Sequence, residues 1–175
     1  EIGMNFALYG FGPPKAREWL VVDVGVTFPG PDLPGVDLVL PDIAFIQKHV
    51  DKLRGIVITH AHEDHYGALP DLWPKLKVPV WMTPFSAGLL EAKRAGDGQV
   101  PRVPVTIYRA RERLTVRPFE IEAIAVTHPI PEPVSLALLT PLGTVAHTRD
   151  WTPDPDPHPG LPTPPAPFPQ LCPAR

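Results

Sequence analysis

Apolar positions recur along this chain with two spacings, and the spacing changes mark the elements. Residues 4–9 and 19–23 read as paired strands around the turn Gly10-Phe11-Gly12-Pro13-Pro14, with Lys15, Arg17 and Glu18 on its solvated tip. Residues 27–41 form a loop rich in Pro and Gly. Asp42 then looks like the N-cap of a helix reaching about Leu53, in which Ile43, Ile46, Val50 and Leu53 make one apolar stripe and His49 stays at the surface. The β-branched run Gly55-Ile56-Val57-Ile58 predicts a buried strand, and Gly67-Ala68-Leu69 a short helix beginning there. A strand follows at 79–82. Next comes a helix over 84–95, with Phe85, Leu89 and Ala92 inward and Gly96 as its stop. Trp73, Trp81 and Met82 are read as packing residues. Strands are predicted at 105–108, 114–116 and 119–127; the last opens with Phe119 and Ile121 alternating against Glu120 and Glu122. A final hairpin, 134–139 with 144–148, turns at Pro141-Leu142-Gly143. Strands interleaved with helices place the chain in the α/β class.

Composition narrows the picture. At 175 residues the chain suits one domain with a real core. A net charge of −3 without any Lys/Arg block gives no electrostatic footprint for nucleic acid. A single cysteine, Cys172, excludes an internal disulfide and favours a cytoplasmic address, and no secretory signal opens the chain. No apolar stretch approaches the roughly 20 residues of a membrane span. Proline is the outlier: 27 residues, ten of them among the last 25. The expected division is a domain over 1–163 and an extended Pro-rich tail over 164–175.

The candidate chemistry lies at the end of the buried strand, in Thr59-His60-Ala61-His62-Glu63-Asp64-His65. Extended backbone points His60 and His62 the same way, and Asp64 and His65 follow where the chain must turn. Two ligand pairs aimed by two backbone geometries can hold two metal ions. Imidazole nitrogen mixed with carboxylate oxygen suits zinc first and manganese second.

This cluster resembles the signature of the metallo-β-lactamase superfamily of metallohydrolases. Its surroundings are similar to the ribonuclease J family of the β-CASP branch. The matching stretches are Glu1-Ile2-Gly3-Met4-Asn5, Val21-Val22-Asp23-Val24-Gly25, Pro34-Gly35-Val36-Asp37, Leu40-Pro41-Asp42, Gly67-Ala68-Leu69-Pro70 and His147-Thr148-Arg149-Asp150-Trp151. The resemblance implies an αββα sandwich, of which this chain would supply the N-terminal half with part of the second sheet. It implies that His60, His62 and His128 hold one ion, Asp64 and His65 the other, and that Asp150 bridges them. Asp23 would be a carboxylate buttressing the metal loop. His147 is read as structural. The chain departs from the family in Thr127-His128-Pro129-Ile130-Pro131-Glu132-Pro133, where the family writes His-Ser-Ile-Pro-Asp-Ser. It departs again at Arg149, where the family has glycine.

The function so implied is hydrolysis of RNA phosphodiesters by metal-activated hydroxide, with two zinc ions and Asp64 orienting the nucleophile. The family's β-CASP domain and a later metal histidine are not among these residues. Reduced activity of this chain alone, an exposed apolar sheet face and pairing with a missing C-terminal half or a second copy are therefore expected. Another hydrolase of this fold, acting on a β-lactam, lactone or thioester, is the alternative, as is a non-catalytic metal-binding fragment.

Overall fold

The computed structural model describes residues 3–148 and 150–152. The Pro-rich tail, Cys172 and Arg149 lie outside the described residues.

Two sheets face each other. The first has strands β1 (Ala7–Phe11), β2 (Glu18–Val22), β3 (Leu53–Val57), β4 (Val80–Met82) and β5 (Val105–Ile107), in that spatial order. β1 and β2 form the expected antiparallel hairpin, but β1 begins at Ala7 and takes in Gly10 and Phe11, which were expected in the turn; β2 to β5 run parallel. The second sheet is antiparallel: β6 (Arg113–Val116), β7 (Phe119–Ala125), β8 (Val134–Thr140) and β9 (Gly143–His147).

The strand period distributes side chains between two cores. Val21 and Ile56 point to the helical side of the first sheet, where they pack with Ile46, Tyr66, Leu69, Leu72 and Leu90. Leu20, Val22 and Val57, one residue out of phase, meet Phe119, Ile121, Leu136 and Leu138 of the second sheet. Because β2 and β3 are apolar on both faces, they can only be interior strands. The result is a helical layer on two stacked sheets.

The helices depart from expectation in three places. The predicted 42–53 helix is α1 (Ala44–Gln47) followed by a separate 3-10 turn at Val50–Lys52, and Leu53 belongs to β3. Its stripe is real, since Ile43, Ile46 and Leu53 are all buried, but the chain must extend early to enter the sheet. Asp42 does accept the Ala44 N–H at 2.8 Å. His49 is half-buried, its ring against Phe45. The helical turn α2 (Glu63–Tyr66) starts before Gly67, and α3 (Leu69–Leu76) follows it. In α4 (Pro84–Gly96) the buried residues are Ser86 and Leu90, and Ala92 is exposed. The inward stripe is one position out of phase because Thr83 sets the N-terminus, its hydroxyl accepting the Ser86 N–H.

The β6–β7 half of the second sheet is polar on its outer side, while β8 and β9 set Ala137, Leu139 and Ala146 on that face. The outer side of the second sheet carries Arg113, Thr115, Glu120 and Glu122, with Arg113 paired to Glu122 and Thr115 to Glu120. Strand alternation sends the large apolar side chains Leu114, Val116, Phe119 and Ile121 of β6 and β7 inward.

Tyr108, fully buried beyond β5, donates its hydroxyl to the Ile58 carbonyl at 2.7 Å. That carbonyl lies two residues before His60, so the bond ties the sheet to the histidine segment. Tyr108→Phe should destabilise the protein by about 1–3 kcal/mol, the cost of a buried acceptor left unpaired. Urea unfolding of the two proteins, with unchanged slope, measures it.

Candidate metal centre

The strand ends of β2 and β3 lie side by side and deliver the first components. Past β2, Asp23 turns through the left-handed region at φ 63° and places a fully buried carboxylate beneath the segment that follows β3. Its Oδ1 accepts the Thr59 N–H at 2.8 Å and its two oxygens share the Thr59 hydroxyl at 3.0 Å. Its Oδ2 accepts His65 Nδ1–H at 2.8 Å.

These contacts settle which imidazole nitrogens carry protons. A carboxylate only accepts, so the Thr59 hydroxyl donates to Asp23 and must accept from His60 Nδ1, 3.0 Å away. His60 Nε2 is left with its lone pair. Likewise the Nδ1–H of His65 goes to Asp23, turning Nε2 toward the site.

The second component is α2. A helix this short cannot satisfy its own carbonyls. Those of Asp64 and His65 accept instead from Asn5 and Val24, at 2.9 and 2.7 Å, and that of Glu63, which takes the Gly67 N–H at 2.8 Å, accepts also from Val26 at 3.0 Å. Gly25 lies in this interface: a Cβ there would sit 1.7 Å from the Asp64 carbonyl oxygen. Lys93 of α4 braces the outer side, pairing with Glu63 and lying 4.5 Å over the Tyr66 ring.

The third component is the loop after β7. His128 reaches His62, Nε2 to Nδ1, at 3.0 Å, and His62 Nδ1 lies 3.2 Å from His60 Nε2. The loop is pinned by Val134 N–H to the Thr59 carbonyl and by Glu132, which accepts the Phe85 N–H at the start of α4 at 2.7 Å.

Two groups of donor atoms result, each with all its members within 4.8 Å of one another: His60, His62 and His128, and His60, His65 and Asp150. Asp150 Oδ2 is 2.8 Å from His65 Nε2. Asp64 stands beside the second group, its Oδ2 3.5 Å from His65 Nε2 and 3.1 Å from Asn5 Nδ2. His147 is buried outside both groups, its Nδ1 on the Tyr9 hydroxyl at 2.7 Å.

Electrostatics favour a cation here. Burial, then the charge of His65, pushes the His60 pKa down to about 3, so its lone pair is available at neutral pH. Burial and the neighbouring His62 lower that of His128 too. His65 moves the other way: burial opposes its charged form, but the Asp23 hydrogen bond and the surrounding carboxylates outweigh that. Burial would raise the Asp23 carboxyl, yet the imidazoles of His147 and His65 hold it below the usual carboxylate range. His62 Nδ1 lies at hydrogen-bond distance from both His60 Nε2 and His128 Nε2, and each neutral ring has only one proton to give. Such a donor set fits a divalent metal ion.

The sequence from residue 15 to 155 matches the family described as the metallo-beta-lactamase superfamily. The chain belongs to that superfamily. It is 59% identical to a ribonuclease J of Sinorhizobium meliloti over 157 residues, which are 90% of this chain and 28% of the relative. It is 40% identical to ribonuclease J of Helicobacter pylori over 164 residues, 93% of this chain and 23% of that protein. The chain thus spans about a quarter of the length of these relatives, and the resemblance to a part of ribonuclease J is borne out. Among solved structures, the metallo-beta-lactamase fold protein YhfI from Bacillus subtilis superposes with TM-score 0.55 at 16% identity, over 81% of this chain and 53% of that one. Zn(2+)-bound PqqB from Methylobacterium extorquens gives 0.54 at 13%, over 78% and 50%. These two likenesses establish the fold, as half of the superfamily's sandwich.

Asn5, Gly25 and Thr59 escaped the reading of single residues, although each lies in or beside a stretch that carried the resemblance. Their parts are played through backbone contacts across the fold, which no spacing reveals.

Gly25→Ala should lose about 1–3 kcal/mol of stability from overpacking, and divalent-metal affinity with it, because α2 must move off the Asp23–Val26 turn. Asp23→Asn should weaken zinc about 10–100-fold, since the amide no longer fixes both imidazoles. Competition with a chromophoric chelator reads both.

Proposed function

We propose that this chain is the metal-binding portion of a ribonuclease J-like hydrolase that cleaves RNA phosphodiesters with two zinc ions, manganese being an acceptable substitute. His60, His62 and His128 would hold one ion and Asp64 and His65 the other, with the Asp150 carboxylate available to both. The supporting observation is the convergence of imidazole nitrogens from two separate chain segments, backed by one carboxylate on Thr59 and His65. RNA as the substrate is supported by relatives named ribonuclease J at up to 59% identity. The domain extends over 1–163, and the cytoplasm is its proposed location.

Bound cations would lower the pKa of a water to about 7 and neutralise charge developing on the phosphoryl group. The chain's own residues orient and exclude. Asp23, through Thr59 and directly, keeps His60 and His65 in the tautomers that present Nε2. Asp64 supplies a carboxylate to take and orient the proton of the attacking water. Asp150 completes the negative charge of the site, its own carboxyl held below the ordinary range by His65 despite burial. No serine or cysteine nucleophile is required.

Elemental analysis of protein purified without added metal should give about two ions per chain, and a single-stranded RNA should be cleaved only with metal present. His128→Ala should remove one ion and lower cleavage at least 100-fold. Folded protein without metal, or turnover of nitrocefin without RNA cleavage, would sink the reading. Zinc affinity should rise from pH 6 to pH 8: the metal needs neutral His65, whose pKa lies above its ordinary value, so a proton must leave on binding.

A further inference from the structure

The opening stretch that resembles ribonuclease J ends in Asn5, and the metal assignment above gives this residue no part. Asn5 is nonetheless 7% exposed and sits between the Asp23 turn and α2. Its backbone is occupied at both ends: the N–H donates to the Asp64 carbonyl at 2.9 Å, and the carbonyl accepts from Gly25 at 2.9 Å. Its carboxamide is therefore not needed to hold the strand, and it points into the site. Nδ2 donates to Asp64 Oδ2 at 3.1 Å and lies 3.1 Å from His65 Nε2.

We propose that Asn5 is a positioning residue for Asp64, gripping it by its carbonyl and by one carboxylate oxygen, and thereby setting the affinity of the Asp64/His65 ion. The proposal rests on the dinuclear reading given above. An Asx-length amide is the side chain that fits. Aspartate would set a carboxylate against Asp64, alanine has no donor, and glutamine adds a methylene in a buried gap. Of the two amide contacts, the one to Asp64 is compatible with ligation by His65, because a lone pair given to a cation no longer accepts a hydrogen bond. With Oδ2 tied, the carboxylate plane cannot rotate, and its second oxygen keeps one direction. Preventing rotation of a ligand in this way typically contributes a factor of about 10–100 in metal affinity.

The contact can be tested in the wild-type protein by NMR. A scalar coupling between Asn5 15Nδ2 and the Asp64 carboxyl carbon is expected, with a slowly exchanging side-chain amide. In Asn5→Ala the Asp64 carboxyl 13C resonance should shift while the His128 ring 15N resonances stay in place. In zinc competition Asn5→Ala should bind the second ion about 10–100-fold more weakly and the first within twofold. Asn5→Asp should lose more of the second ion than Asn5→Ala. An absent coupling with a fast-exchanging amide, an unmoved Asp64 resonance, or equal weakening of both ions would overturn the proposal. If the resonance moves but wild-type protein binds fewer than two ions, the dinuclear reading fails and the Asn5–Asp64 contact stands.

Discussion

The Asp23 carboxylate is the group on which the site depends. It is fully buried, held ionised by imidazoles on either side, and bonded at once to the β3 end through Thr59 and to α2 through His65. An unpaired buried carboxylate would be costly, so the contacts are mutually enforcing. One charge thus fixes two strand ends, a helical turn and two imidazole tautomers. The strained backbone at Asp23, with φ 63°, persists because these bonds over-determine it.

The second constraint is backbone arithmetic. A one-turn helix has more free carbonyls than it can pair, and here those of Asp64 and His65 receive amides from Asn5 and Val24, while that of Glu63 takes Val26 beside its helical partner Gly67. The close approach this needs leaves no room for a side chain at residue 25. Precision in the placement of Asp64 and His65 therefore comes from main-chain bonds, which are stiffer than side-chain packing. Lys93 and Glu132 extend the same logic to α4, whose two ends touch the α2 turn and the His128 loop.

The two-sided burial of β2 and β3 sets the wider frame. With helices on one face and a second sheet on the other, the ends of the parallel strands are the place where loops from both layers meet. His128 arrives there from the second sheet, Asp150 from beyond β9, and the remaining groups from the first sheet.

Much of this was legible in the chain. Alternating residues in 119–125, apolar runs at 19–23 and 55–58 and the turn residues between them determined strands, hairpins and the α/β class, because a period of two in a buried strand has few other uses. The spacing of His60, His62, Asp64 and His65 by itself pointed to a metal site. The pairing of distant segments was not legible. That α1 stops at Gln47, that α2 begins at Glu63 and that α4 turns Ala92 outward follow from where the sheet pulls the chain, not from local periodicity. That His128 meets His62, that Asp23 sets the protons of His60 and His65, and that Asn5 reaches Asp64 are decided by bonds between residues up to 66 positions apart. Local pattern records which faces are apolar; only packing determines which buried polar atoms find one another.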